Sequence, residues 1–207
     1  MKILLLTRYG VMGASSRLRI FQYIQYLNES GFDVQFVPFI DDESLGGKYK
    51  LGRYNFFKLA IHYYERLRIL LHKSEYDLIW IEKEALPWMP LWIELYLLSG
   101  TPYVLDYDDA LFHNYDRHRL WFVRRFYGQR LDGLMANSKL VIAGNEYLAG
   151  RAVSAGTKNI EIIPTVIDLG RYESKLSEFD RRINSPLRVV WIGSPSSLQY
   201  LRIISEP

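Results

Sequence analysis

Met1-Lys-Ile-Leu-Leu-Leu-Thr-Arg-Tyr-Gly-Val-Met-Gly-Ala-Ser-Ser-Arg-Leu-Arg19 decides the fold. Its apolar run, Ile3–Leu6, reads as a strand buried on both faces. A loop with Gly10, Gly13, Ser15 and Ser16 follows, and a helical pattern opens near Arg17. Strand, small-residue loop and helix open a doubly wound α/β domain, in which the first loop lies at the carboxyl edge of the sheet where ligands bind. Two readings of the loop stand side by side. Gly10, Gly13 and Ser16 let the backbone approach an anion held by the unpaired first amides of the helix, or they serve a tight turn that needs small residues. Arg17 and Arg19 lie in a helical turn where the dipole disfavours them, which favours the anion reading.

The same alternation runs on down the chain. Strands are expected at Asp33–Pro38, Tyr76–Ile81, Thr101–Asp106, Leu140–Ala143 and Ile160–Ile163. Helical spacing joins Ile20, Tyr23, Ile24 and Leu27 before Gly31. It returns over Tyr54–Lys73, where Phe57, Ile61, Tyr64, Leu67 and Leu71 share one face, then in a short apolar helix from Pro90 to Leu98, over Arg117–Met135, and over Glu146–Ala155. Asp41–Gly52 is polar and glycine-rich and reads as a loop. Six strands alternating with helices predict a mostly parallel, doubly wound, Rossmann-like α/β sheet covered on both faces. This first domain takes residues 1–164. Residues 165–186 are charged and aperiodic and read as a linker. Residues 187–207 then repeat the opening: the apolar strand Leu187–Ile192, the loop Gly193-Ser-Pro-Ser-Ser197 and a helical start at Leu198. They read as the truncated start of a second domain. A lone strand–helix unit cannot bury both its faces, so Leu187–Ile192 is expected to seek another edge, as in a homodimer.

Composition narrows the function classes. The chain has 207 residues, 49% of them hydrophobic, which supports a sizeable core rather than disorder. It has no cysteine, so a disulfide framework and thiolate metal sites are excluded. A net charge of +3 gives no reason to expect nucleic acid. The opening apolar run is too short for a signal peptide. Leu86–Leu98, broken by Pro87, Pro90 and Glu94, is too short for a span, which takes about 20 residues. A cytoplasmic location follows, with one route to the inner membrane face. Arg117–Arg130 carries five arginines, no acid and several aromatics. Such a helix either lies on anionic lipid or holds its arginines in water.

Candidate chemistry gathers after the strands. Asp106-Tyr-Asp-Asp-Ala-Leu-Phe-His113 brings three carboxylates within four residues, whose repulsion raises one pKa. Asp106, Asp108 and Asp109 suit a base, a hydroxyl acceptor or a metal ligand, or one of them caps a helix. His113 is either catalytic or structural. Asn145 and Glu146 follow the fifth strand as cleft residues or as a helix cap. Glu82 and Glu84 read as a solvated rim. No zinc, P-loop or nucleophile-elbow motif is present, and the first loop lacks the glycine spacing of a dinucleotide site.

Five stretches in order, Arg8–Arg19, Val104–Phe112, Val141–Ala149, Ile162–Asp168 and Val190–Ser194, resemble the amino-terminal half of retaining GT-B glycosyltransferases of the family-four type. The resemblance covers nearly the whole chain. It implies two Rossmann-like domains facing across a cleft, the first binding the acceptor and the second the nucleotide-sugar donor. It implies no cofactor and no metal. It assigns Gly10, Gly13, Ser16 and Arg17 to the donor-phosphate loop, with Gly193 and Ser194 opening the donor domain. Asp108, Asp109 and His113 become the catalytic candidates, and Asp106, Asn145 and Glu146 the acceptor cleft. The sequence departs from the family in two places. Thr165-Val166 stands where relatives carry Asn-Gly, and aspartates occupy the usual place of a histidine after the fourth strand. The glutamate pair of the donor site is not in the sequence. The resemblance therefore implies a hexosyltransferase of polysaccharide biosynthesis, acting on a glycan or lipid-linked acceptor and inactive as this chain alone. The other readings are a non-catalytic glycan- or lipid-binding or oligomerising module, and a GT-B sugar epimerase.

Overall fold

Leu4, Leu5 and Leu6 have nothing to offer water, and they form the middle of the sheet. The structure is a computed structural model that describes residues 1–168, Gly170 and Leu201. Six strands run through the described residues: β1 (Lys2–Tyr9), β2 (Asp33–Ile40), β3 (Leu78–Glu82), β4 (Tyr103–Tyr107), β5 (Leu140–Ala143) and β6 (Ile160–Ile162). All pair in parallel, in the order β2-β1-β3-β4-β5-β6. The doubly wound α/β reading holds.

The helices of the described residues are α1 (Ala14–Arg19), α2 (Ile24–Glu29), α3 (Asp42–Leu51), α4 (Phe56–Leu71), α5 (Leu91–Leu98), α6 (His113–Asp116), α7 (Trp121–Tyr127), α8 (Arg130–Asn137) and α9 (Glu146–Ser154). Strand periodicity sorts the core between the two sheet faces. Ile3 and Leu5 pack with Ile20, Ile24, Leu78 and Trp80 on the face of α1 and α2. Leu4, Leu6, Ile79, Ile81, Leu105, Tyr107, Val141 and Ala143 turn the other way, into the larger core with residues of α4, α5, α8 and α9. Strand order reverses between β1 and β3. The crevice at their carboxyl ends is therefore the switch point, where such sheets bind ligands.

Three local readings change. Asp41–Gly52 is not a loop: the Asp41 side chain accepts from Ser44 N–H and caps α3, and Gly52 ends it at φ 72°. The expected helix Arg117–Met135 is broken into α7 and α8 at Gly128-Gln129. α4 forms with Asn55 as its cap, but Phe57, Ile61, Tyr64 and Leu71 face solvent, while His62, Arg66 and Leu70 face inward. Arg66 is held there because its Nη2 donates to the carbonyls of Thr7 and Val37 at 2.9 Å each.

The chain divides into two units, Met1–Asp168 and Leu169–Pro207. Beyond Asp168, the expected linker, the strand Leu187–Ile192, the loop residues Gly193 and Ser194, and the helix from Leu198 lie outside the described residues, Gly170 and Leu201 aside. No helix among the described residues is long and apolar enough to cross a membrane.

Candidate functional site

Parallel strands end where their side chains meet, so β1, β3 and β4 deliver their last residues to one edge. Glu82, at the end of β3, is buried and collects the first loop. Its Oε2 accepts from the Arg8 N–H (2.9 Å) and the Ser16 hydroxyl (2.6 Å), and its Oε1 from the Ser15 hydroxyl (2.7 Å). Ser15 Oγ also lies 2.6 Å from Asp108 Oδ2. One hydroxyl proton faces two carboxylates, so Glu82 and Asp108 compete for it.

Lys83 follows, at φ 69°, a left-handed conformation that a lysine adopts at a cost. Its buried ammonium lies 2.9 Å from Asp108 Oδ1 and 2.8 Å from Asp109 Oδ2. Burial disfavours that ammonium, yet Asp109, Asp108 and Glu82 outweigh it and hold its pKa above the usual lysine value. In return Lys83 and the Ser15 hydroxyl hold Asp108 below the usual carboxylate range, against the upward push of burial. Asp108 is largely enclosed, whereas Asp109 is exposed at the same edge.

Asp106 sits deeper. Burial pushes it up to about 6, against the pull of Arg19. Arg19 Nε and Nη2 both donate to Asp106 Oδ1, at 2.9 and 2.6 Å, and Nη1 donates to the Ile163 carbonyl at 2.5 Å. Arg19 is thus a buried strut rather than a free cation beside the loop.

The glycines of the first loop have a reason inside the chain. A Cβ on Gly13 would lie 2.3 Å from Tyr9 Cβ, and one on Gly10 would lie 2.4 Å from Asp42 Oδ1. That Asp42 oxygen accepts from Met12 N–H. Ser16 is fully buried, and Arg17 Nη1 donates to the Val11 carbonyl. As built, this loop is a tight turn braced on β3.

Glu82 and Glu84 are not a solvated rim: both are buried. Glu84 accepts from Arg8 Nη1 (2.8 Å), from the Tyr115 hydroxyl (2.8 Å) and from Arg130, which also meets Glu94. Arg130 is therefore a core cation, and the exposed arginines of the basic stretch are Arg117, Arg119, Arg124 and Arg125.

His113 stands apart from the aspartates, at the start of α6. Its Nδ1 is 2.8 Å from Asp116 Oδ1 and its Nε2 is 2.7 Å from the Tyr147 hydroxyl. The Asp116 carboxylate only accepts, so His113 Nδ1 donates to it. Asn145 caps α9 through Leu148 N–H, with Glu146 exposed in its first turn. Lys83 and Tyr147 enter the site without having been singled out from the sequence, and Ser15, named there only as a small loop residue, enters it through its hydroxyl. The available signal was the position of Glu-Lys-Glu directly after a buried strand of a parallel sheet. Among the described residues no group of three or more His, Cys, Asp or Glu is placed to hold a metal ion.

Comparison with known proteins adds a family. Residues 18–171 match the model described as Glycosyltransferase Family 4. Among solved structures, the chain is similar to one from Anabaena, Alr3699/HepE in complex with UDP. It is 19% identical to it with a TM-score of 0.48, and the match covers 86% of this chain and 47% of that one. The chain thus spans about half the length of that structure. No curated protein matches it.

Proposed function

Because the chain belongs to Glycosyltransferase Family 4, we propose that residues 1–168 are the acceptor-side domain of a retaining GT-B hexosyltransferase. It uses a nucleotide-sugar donor and a glycan or lipid-linked acceptor. The observation that carries the acceptor role is the Lys83–Asp108–Asp109 cluster at the switch point of the sheet. Ionised carboxylates accept hydrogen bonds and repel phosphate, so this edge suits the hydroxyls of a sugar. Asp109 offers the exposed oxygen, Asp108 and Lys83 fix its direction, and His113 with Tyr147 supplies a second polar contact on the β4 and β5 side. Transfer also needs the charge of the leaving diphosphate stabilised. The acidic edge cannot do that, and the neighbouring arginines Arg8 and Arg19 are committed to Glu84 and Asp106. Among the described residues these arginines therefore leave the leaving diphosphate unserved, and the chain by itself is expected to be inactive.

The test pairs two measurements on the purified chain. Incubation with labelled UDP- and GDP-sugars and with free and lipid-linked glycans should give no product. A glycan array should give binding that Asp109→Asn reduces about tenfold, the loss of a charged hydrogen bond. Robust transfer overturns the inactivity, and glycan binding indifferent to Asp109 overturns the acceptor site.

A further inference from the structure

Three helices, α4, α5 and α7, leave large apolar side chains in water. α4 puts Arg66 on carbonyls of β1 and β2 and His62 on Ser44 of α3, buries Leu70, and leaves Phe57, Ile61 and Tyr64 more than half exposed. α5 buries Glu94 with Leu97 and Leu98 and exposes Trp92 and Tyr96. α7 buries Val123 alone and exposes Trp121, Phe122 and Phe126. These helices adjoin. α4 packs on α5, and Leu91 at the start of α5 shares a hollow with Arg124, Arg125 and Phe126 of α7. A water-facing helix ordinarily turns such residues inward, and large apolar side chains exposed on adjoining helices mark an interaction surface.

We infer that this face lies on an anionic lipid bilayer. Charge selects the occupant. Arg117, Arg119, Arg124 and Arg125 border the aromatics, and among the described residues none of them pairs with a carboxylate. Arg68 adds an exposed cation on α4, where Glu65 is the exposed acid. Trp, Tyr and Phe beside arginine match the headgroup region of an anionic membrane, which takes the rings at its boundary and the cations at its phosphates. A second copy of the chain fits poorly, because a two-fold contact would oppose these arginines to their own copies. The inference rests on these exposures and not on the transferase reading.

The test is co-sedimentation of the purified 207-residue chain with vesicles in about 0.1 M salt. One vesicle is an equal mixture of phosphatidylglycerol and phosphatidylcholine, the other phosphatidylcholine alone. Partition into the anionic vesicle should be at least about tenfold stronger, with a blue-shifted tryptophan emission. Arg119→Ala/Arg125→Ala should weaken it roughly thirtyfold, and Trp92→Ser/Trp121→Ser should abolish the blue shift, with circular dichroism unchanged in both. Equal partition into the two vesicles overturns the inference, as does failure of the folded chain to sediment. A lipid-free dimer in which tryptophan becomes shielded from acrylamide also overturns it, assigning the face to a second copy instead.

Discussion

Lys83 is the residue on which the candidate site turns. It spends backbone energy on φ 69° and ion-pair energy on Asp108 and Asp109, and the two can be separated. Lys83→Ala keeps the strain and strands a largely enclosed Asp108. A fully buried pair broken this way costs 3–5 kcal/mol, and the exposure of Asp109 lowers the expected loss to about 2 kcal/mol. Lys83→Gly loses the same ion pair but relaxes the backbone, so it should be about 1 kcal/mol more stable than the alanine variant. Urea unfolding of the two variants checks the order, and alanine above glycine would remove the strain from the account. The first loop makes a similar contrast. Gly13→Ala drives a Cβ into Tyr9, whereas Gly47 in α3 faces open space. The first should destabilise by about 1–3 kcal/mol and the second should stabilise by about 0.5–1 kcal/mol, read by thermal melting. At this scale the sequence was half legible. Three aspartates after a buried strand announce an edge cluster, but a lysine between two glutamates looks like surface. Only the pairing of Lys83 with residues 25 and 26 positions later in the chain gives it a role, and that pairing is a product of the fold.

Elements were legible where one pattern decides them and illegible where the tertiary phase decides. Ile3–Leu6, Leu78–Ile81 and Leu140–Ala143 are unbroken apolar runs, Gln35 and Glu161 interrupt the runs of β2 and β6, and all six expected strands appear in the sheet. α3 was missed because Gly46 and Gly47 depress helix propensity, while the Asp41 cap and the first-turn acids Asp42 and Glu43 restore it. α4 was legible as a helix and not in its orientation. Its apolar stripe has the right period, but Arg66 finds carbonyls of β1 and β2, which sequence spacing does not reveal. The orientation has a direct consequence. Tyr64→Ser should change stability by less than about 0.5 kcal/mol, because the ring is exposed. Leu70→Ala, six residues on and fully buried, should cost about 3 kcal/mol. Equal losses in urea unfolding would put Tyr64 in a core. Asn55→Ala, which removes the cap from two N–H groups, should cost about 1 kcal/mol by the same measurement.

The whole molecule is braced by buried charge rather than by hydrocarbon alone, and that sets its response to pH. One chain of groups runs Arg8–Glu84–Arg130–Glu94 beneath α5, and Arg19–Asp106 spans from α1 to β4. Burial raises Glu94 to about 7 even though Arg130 pulls the other way, and it raises Asp106 to about 6. Both groups therefore hold protons in the folded chain that the unfolded chain has already released between pH 4 and 7. Wherever the unfolded state binds fewer protons, stability falls as pH rises. Their contribution is complete below about pH 4 and is lost on passing through 6 and 7. Asp108 and Asp41 are lowered and act in the opposite sense, adding stability that disappears only as the pH falls below the ordinary carboxylate range. The two sets together place the maximum on the acid side of neutral. The urea midpoint at pH 5 should exceed that at pH 7.5. Glu94→Gln separates the causes. Its amide oxygen still accepts from Ala85 and Leu86 N–H, as Glu94 Oε1 does, but it turns an NH₂ toward Arg130 and so costs stability at every pH. Having no proton to lose, it should flatten the decline between pH 5 and 7.5, leaving the part due to Asp106. A midpoint that rises from pH 5 to 7.5 would mean that Arg130 dominates and Glu94 is ionised throughout.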